Sequence, residues 1–433
     1  MIKEKKLIFL LLLSVNSYAQ NKNSRIIVGE VYSSVDSTAL PFVNIYFKGK
    51  DIGTSSNIDG SFYLENPSSN KEKTLIFSHV SFQTKKVSLL TLDTLKVFLN
   101  PTVFTLGEVT VSAKNDDAKC LDIIKNAVMA MKNNYSTKTV ELTFHYLETV
   151  KFNNQYGRFV EATGTIFDKP FDIKRKRKKK NRYSATINYY RASENYNSNF
   201  FPFANGIIHA TNQNYIKYSA SFLTNSIDNT KYQYQLDDTT TFHNKEVYKI
   251  SFISKPHLSK TYPSGFIYIT VDKHAIVALY TELNDKSFFE HHVSKDGKTS
   301  ECVYMTTYID YVPKGGIWVL NNIKKKEVLR FYNNITKTHY YNAEIDLILS
   351  VNEVKLSNPH KKPKDATDKY TNIYNRNYPY ADSIWEEDIL KYQSETIITR
   401  IKKDIERNGN TLEEQFKKVK NSKNSVYQRE QEN

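Results

Sequence analysis

Along most of this chain apolar residues recur at every second position, in short runs closed by Gly, Asp, Asn or Pro. Between Arg25 and Val111 the runs are Arg25–Ser34, Ala39–Lys50, Ile52–Glu65, Thr74–Leu89 and Thr94–Leu99, with Leu106–Val111 last. Val43, Ile45 and Phe47 share one face of a strand, as do Phe62 with Leu64 and Leu75 with Phe77. Asp59-Gly60 suits a tight hairpin turn, since Gly tolerates positive φ and Asp bonds its own backbone. Pro41 stands at the head of Phe42–Phe47, where a missing N–H costs little. Short strands with turn signals at such regular intervals predict a small all-β sandwich.

The period then changes. Leu121, Ile124, Val128 and Met131, with Ile123 and Ala127 beside them, recur at helical spacing, and Asn115 to Asp117 are candidate caps for a helix reaching Asn133. The stripe reads as a core-facing one. Strand-like runs follow. Thr139–Lys151 and Gly157–Phe167 form a predicted hairpin about Asn153-Asn154. After an irregular stretch come Tyr232–Leu236, Glu246–Ser254, Gly265–Val271, Ala275–Leu283, Glu301–Tyr311, Trp318–Leu329 and Thr336–Leu347. Connections as short as Asp272-Lys273-His274 and Pro313-Lys314-Gly315-Gly316 argue for an antiparallel meander rather than βαβ units. From Ser357 the chain turns polar. Pro359–Lys364 reads as a linker, and Ala381–Arg407 as a helix with Trp385, Ile389, Tyr392 and Ile397 on one stripe. Asn408–Asn433 reads as a fraying or disordered tail.

Several elements of the first region, taken in order, resemble the carboxypeptidase-regulatory-like domain of Bacteroidetes-type cell envelopes. They are Val28-Gly29-Glu30-Val31, Leu40-Pro41 with Val43-Asn44-Ile45, Lys48-Gly49, Gly53-Thr54, Asp59-Gly60-Ser61-Phe62, Phe77–Phe82 and Leu106–Val111. Two positions depart from the pattern: Phe42 stands for a glycine, and Ser81-Phe82 for a glycine-aromatic pair. The resemblance implies a folding, docking or partner-binding module and not a peptidase. The helix at Cys120–Asn133 is similar to the one that follows this sandwich in a set of such envelope proteins. Glu246–Phe252, Gly265–Asp272 and Ala275–Leu279 resemble consecutive strands of the half-barrel of periplasmic lipoprotein carriers and their lipid-binding relatives. Many TonB-dependent receptors begin with the same sandwich. This chain is not expected to be one, having no plug-like segment and no sustained alternation with aromatic girdles.

Composition narrows the compartment. Lys3, Lys5 and Lys6 precede an apolar core Leu7–Leu13 and then Ser17-Tyr18-Ala19, which reads as a secretory signal over residues 1–19. That core is too short to span a bilayer, and no Cys follows for a lipid anchor. The formal net charge is +15. In an exported protein this favours anionic surfaces such as lipid phosphates or acidic glycans over nucleic acid, although Lys-rich compositional drift accounts for it equally. The densest charge is Lys174, Arg175, Lys176, Arg177, Lys178, Lys179, Lys180 and Arg182, a candidate contact for an anionic envelope surface or else a solvated loop. The two cysteines, Cys120 and Cys302, are a candidate disulfide in an oxidising compartment, or two small buried side chains.

Candidate chemistry is sparse. His145-Tyr146-Leu147-Glu148 matches the short His-x-x-Glu pattern of zinc carboxypeptidases, but on a strand residues three apart face opposite sides. Glu290-His291-His292 diverge in the same way and read as a turn flank. The aromatic segment Tyr189–Phe203, with Phe200, Phe201 and Phe203, reads as core or as a lid over an open sheet. No nucleophile elbow, phosphate loop or dinucleotide fingerprint is present.

The reading is therefore a mainly β chain with some α. A β-sandwich (24–112) follows the signal, then a helix with a curled antiparallel, half-barrel-like sheet (115–356), then a polar linker, helix and tail (357–433). The function expected is a non-enzymatic binding or assembly protein, exported and periplasmic or outer-membrane associated. It would hold a lipid or apolar ligand, with no catalytic, cofactor or metal residues. The alternatives are a structural module that contacts an outer-membrane protein, and an envelope metallohydrolase, which lacks a catalytic set.

Overall fold

The computed structural model describes residues 25–37, 39–40, 43–50, 53–56, 60–66, 70–79, 82–89, 94–100, 113–170, 183–194, 206–212, 214–218, 232–243, 245–255, 263–283, 290–293, 298–356, 366 and 395–421. The chain divides into two compact units, Met1–Thr102 and Val103–Asn433.

In the first unit, β1 (Arg25–Ser33) lies between β4 (Ser61–Asn66), antiparallel, and β7 (Thr94–Leu99), parallel. A second sheet runs β3 (Gly53–Ser55), β2 (Asn44–Phe47), β5 (Thr74–His79), β6 (Phe82–Ser88). The predicted inward residues Val43, Ile45, Phe47, Phe62, Leu64, Leu75 and Phe77 all enter one core between the sheets, joined by Ile27, Val31 and Val97. Alternation puts them there, because every second residue of a strand points to one face. Gly60 has φ +79°, and a Cβ on it would stand 2.5 Å from the Val31 carbonyl oxygen, so the turn demands glycine. Ser56 donates to the Leu40 carbonyl at 2.7 Å and accepts from the Val43 N–H at 2.8 Å, closing the chain back onto β2.

The second unit begins with α1 (Ala113–Asn134), and Ile123, Ile124, Ala127, Val128 and Met131 of its stripe are buried. Asn115 and Asp117 lie inside the helix rather than capping it, and the Asp117 carboxylate instead accepts the Tyr234 N–H at 2.9 Å. An eleven-stranded antiparallel sheet follows, made of β8 (Val140–Phe152), β9 (Gln155–Asp168), β10 (Tyr183–Ala192), β11 (Tyr232–Phe242), β12 (Lys245–Ser254), β13 (Ser264–Thr270), β14 (Ile276–Leu283), β15 (Glu290–Val293), β16 (Lys298–Lys314), β17 (Ile317–Asn333) and β18 (His339–Lys355). Its order is β10-β9-β8-β18-β17-β16-β14-β13-β12-β11, with β15 beside β16, so it is open, with edges at β10 and β11. The Asn153-Asn154 turn has both residues at positive φ, 48° and 70°, as does Gly315-Gly316 at 56° and 83°; this is the geometry that matches strand twist in two-residue hairpins.

Two short helices, α2 (Ile207–Asn212) and α3 (Tyr215–Tyr218), come between β10 and β11. After the sheet come α4 (Glu395–Ile405) and α5 (Leu412–Asn421). The last corrects the expected frayed tail over residues 412–421. Leu412 and Phe416 are buried, and the Phe416 ring lies 6.0 Å from that of Phe159 on β9. The signal segment, Leu106–Val111, the basic run Lys174–Arg182, Phe200, Phe201, Phe203 and Trp385 lie outside the described residues.

Candidate functional site

Strand register sorts the large sheet into two faces. Directly paired residues point the same way, so Tyr146, Leu349, Ile323 and Ile309 share a face with Tyr311, whose ring meets that of Tyr135 at the end of α1 at 5.4 Å. This is the α1 face. The segment α2–α3 lies on it too. The Gly206 N–H donates to the Tyr146 hydroxyl at 3.1 Å, the Asn214 amide to the Tyr311 hydroxyl at 2.7 Å, and the Lys217 ammonium to Asp168 and the Lys169 carbonyl.

At one end of the α1 face apolar side chains predominate, around the Glu327 carboxylate of β17, which lies between Ile345 and Met305. Val150 and Phe152 (β8), Ala343 and Ile345 (β18), Leu329 (β17), Cys302 and Met305 (β16) and Leu283 (β14) form one buried cluster, with Phe331 and Tyr341 packed against it. Five adjacent strands contribute, which makes a strip about 19 Å across at the usual strand spacing.

Next to the strip the face becomes polar but remains closed to solvent. Lys325 and Glu327 pair at 2.9 Å. Burial works against the Lys325 ammonium, and the Glu327 carboxylate more than offsets it, holding the lysine above its ordinary range. His209 on α2 faces this pair; burial, then the Lys325 charge, push its ring down to about 3, so it stays neutral. Arg158 Nη2 stands 3.3 Å from Glu148 Oε1, while the Tyr146 hydroxyl donates to Glu148 Oε2 at 2.6 Å. Burial and that carboxylate raise the tyrosine well above its ordinary value.

The opposite face carries a second buried set on β8–β10. Glu161 takes His145 Nε2 on one oxygen at 2.5 Å and Arg191 Nε on the other at 2.7 Å. Burial raises the Glu161 pKa, but His145 and Arg191 outweigh it and hold the carboxyl below its usual range. The Arg191 guanidinium lies 5.1 Å from the centre of the Phe416 ring on α5. His145 and Glu148, three residues apart, thus end on opposite faces in separate sets. Among the described residues no group of three or more His, Cys, Asp or Glu is placed to hold a metal, and no helix is long and apolar enough to cross a membrane.

In the first unit, the seven strands, the Gly60 turn and the two-sheet core follow the order that the sequence motifs gave. Residues 27–111 carry a CarboxypepD_reg-like domain. A relative of the chain is TonB-dependent receptor P3 of Formosa agariphila, 33% identical over 130 residues. The match takes in 28% of this chain and 12% of the receptor, so the chain spans about an eighth of that protein. Among solved structures, a LolA superfamily protein from Nitrosomonas europaea is 9% identical, with 55% of this chain and 94% of that one covered at a TM-score of 0.22. A DUF1329 family protein from Desulfovibrio piger is 10% identical, with 55% and 92% covered, also at 0.22. Scores this low carry no functional argument.

Of the two readings left open for the cysteines, the structure has Cys120 and Cys302 as separate buried thiols. The path of α1 explains why. Cys120 lies one turn from Asp117, which bonds β11, and β11 is four strands from β16, about 19 Å away laterally. Burial, with the Glu327 carboxylate beside it, pushes the Cys302 thiol up to about 12. Glu290 and His291 sit on β15, opposite Glu301 and Ser300. The Glu161–Arg191 set had no signal in the sequence, since its partners meet only once the strands pair, whereas Lys325 and Glu327 stand two apart on one face of β17.

Proposed function

We propose that the chain is a non-enzymatic binding protein of the bacterial cell envelope, and that the α1 face of its large sheet holds a lipid acyl chain or similar apolar chain. The observation that carries this reading is the apolar strip from Val150 to Leu283, built by five adjacent strands on the face that α2–α3 cross. Binding sites for apolar ligands are mostly hydrophobic surfaces with a few polar groups, and here Lys325 stands beside the strip with its partner Glu327 within it, between Ile345 and Met305. The ionisable groups beside the strip support binding over catalysis. The Cys302 thiol is pushed up to about 12 and the His209 ring down to about 3, both far from the range in which a group exchanges protons at neutral pH. The signal at residues 1–19 supports export. The basic run Lys174–Arg182, between β9 and β10, is the proposed contact with anionic lipid headgroups.

Native mass spectrometry of the protein purified from its own envelope fraction tests the reading. A near-stoichiometric adduct of lipid mass is the expected result. A bare mass, unchanged after incubation with vesicles of extracted lipid, overturns it. For the basic run, replacing its eight cations with Ser and Gln should reduce flotation with phosphatidylglycerol vesicles. Unchanged flotation removes that contact.

A second reading, a module that contacts an outer-membrane protein and holds no small ligand, draws on the anchoring of α2–α3. Tyr146, Tyr311 and Asp168 all hold that segment down on the face in question. The bare mass would favour this reading.

A further inference from the structure

We infer that the second unit has a separate binding site for a neutral sugar chain, on the face of the large sheet opposite α1. It is independent of the apolar strip, and failure of either reading leaves the other standing.

The site is a polar row that crosses five adjacent strands. Asp346 on β18 pairs directly with Lys326 on β17, Lys326 with Thr306 on β16, Thr306 with Glu282 on β14, and Glu282 with Ser264 on β13. Directly paired residues point the same way, so these side chains form one line about 19 Å long at the usual strand spacing. The line is a step in the surface. On one side of it Lys324 and Tyr308 are buried; on the other Glu344, Val328 and Tyr304 are half-exposed.

Asp346 is the member of the row that calls for a ligand. It is 8% exposed, and among the described residues its Oδ1 has no hydrogen-bond partner. A buried carboxylate oxygen left in this state costs stability. The lysines nearby are engaged by another carboxylate: Lys326 Nζ lies 3.2 Å and Lys151 Nζ 2.7 Å from Glu344 Oε1. A hydroxyl donated from outside the chain would satisfy Asp346.

Aromatic rings lie beside the row. The Tyr280 hydroxyl donates to Glu282 Oε2 at 2.8 Å, and the Tyr280 ring lies 6.1 Å from that of Phe266. Burial first, and then the Glu282 carboxylate, raise the hydroxyls of both Tyr280 and Tyr304, so both tyrosines stand around that carboxylate. All three rings are half-exposed.

Along the row come a carboxylate, an ammonium, a hydroxyl, a carboxylate and a hydroxyl. A polyol matches such a line, because each of its hydroxyls both donates and accepts. The apolar C–H faces of sugar rings match the flat bodies of Tyr280 and Tyr304, whose polar tips stay within the row. Charge selects an uncharged chain. The carboxylates of Glu282, Glu344 and Asp346 outnumber the ammoniums of Lys151 and Lys326, so an acidic glycan would meet a surface of its own sign.

The test is isothermal titration calorimetry on the full chain at neutral pH. Cellohexaose, laminarihexaose and maltohexaose are the neutral probes, and hexagalacturonate is the acidic one. At least one neutral probe should bind with a dissociation constant on the order of 1 mM, and hexagalacturonate at least about tenfold more weakly. Tyr304→Ala should weaken binding about tenfold, through loss of the ring surface. Asp346→Asn removes a buried charge and keeps the shape of the side chain; it should weaken binding about fivefold, since the bond to the sugar hydroxyl loses its charge assistance. No heat from any neutral probe at about 10 mM, equal binding of the acidic probe, or full affinity in either variant overturns the proposal.

Discussion

Glu161 holds together three strands and a helix, and Glu161→Gln should expose its weight. The carboxylate bridges His145 on β8 and Arg191 on β10, and Arg191 in turn packs on Phe416 of α5. All three side chains are 5% exposed or less. The amide variant keeps the shape and removes the charge of Glu161. A guanidinium cannot shed its proton, so Arg191 is left as a buried cation against two phenyl rings. At an effective dielectric of about 20, opposite charges 4 Å apart attract by about 4 kcal/mol, and breaking a buried pair from one side costs about 3–5 kcal/mol.

Tryptophan fluorescence in a urea titration isolates the effect, because both tryptophans, Trp318 and Trp385, belong to the second unit. The midpoint should fall at pH 7 by an amount equivalent to about 3–5 kcal/mol. Acidification adds a second arm. The folded pKa of Glu161 lies below its unfolded value of 4.5, so its contribution is complete above pH 4.5 and is lost as pH falls through the folded pKa. The gap between wild type and variant should therefore narrow below pH 4.5. Glu161→Leu/Arg191→Leu should be less damaging than Glu161→Gln, since no charge is stranded. A variant within about 1 kcal/mol of wild type at neutral pH, the size of an exposed pair, would refute the reasoning.

Asp346 works in the other direction: burial raises its pKa to about 6, Lys326 only partly opposing, so the folded state loses stability as pH rises from 3.8 to about 6. Asp346→Asn should stabilise the second unit by up to about 3 kcal/mol at pH 8 and by little at pH 4, read as the shift in thermal midpoint at each pH. Phe416→Ala removes the ring between Phe159 and Arg191 and should cost about 3 kcal/mol, with α5 becoming the first site of proteolytic cleavage. Native protein treated with a thiol reagent at pH 8 should label negligibly, whereas unfolded, unreduced protein should give two thiols; one thiol or none in the unfolded chain would contradict the two buried thiols of the fold.

Much of the framework was legible because it rests on periodicity. The α1 stripe, the Asn153-Asn154 hairpin and the sandwich core each repeat a simple spacing. Where the spacing breaks, the sequence is silent. β10 falls in a stretch that reads as irregular, and its alternation is interrupted by a bulge between Ile187 and Tyr189. The run that predicts β11 stops at Leu236, before Asp237-Asp238. The strand continues through a bulge there, where Asp237 forms an ion pair with Lys249 at 3.5 Å and accepts the Ser251 hydroxyl at 2.9 Å. α5 offers few apolar residues in a charged segment, and the surface that Leu412 and Phe416 fill is on β9 and β10, far away in sequence. The run Lys324-Lys325-Lys326 looks like an exposed strand, yet Lys324 and Lys325 are buried, and Lys325 is answered by Glu327 two residues along the same strand.

These buried charges explain why the two ends of the sheet differ. On β8 and β9, Glu148 meets Arg158 on one face while His145 meets Glu161 on the other. A one-residue slip between these strands would move every side chain to the wrong face and strand at least four ionisable groups at once. Register here is therefore set by polar pairs rather than by shape. The strip from Val150 to Leu283 has the opposite character: Val, Ala, Ile, Leu and Met side chains differ little from one another in chemistry, and Met adapts its shape easily. An apolar ligand can rearrange such a surface without breaking a charge pair, while β8–β10, fastened by Glu161 and covered by α5, keep the strands in place. Ligand binding at the strip should accordingly protect the backbone amides of β16 and β17 from hydrogen exchange and leave those of β9 and β10, which contribute nothing to the strip, unchanged. Protection that appeared first in β9 and β10 would place the ligand on the wrong face.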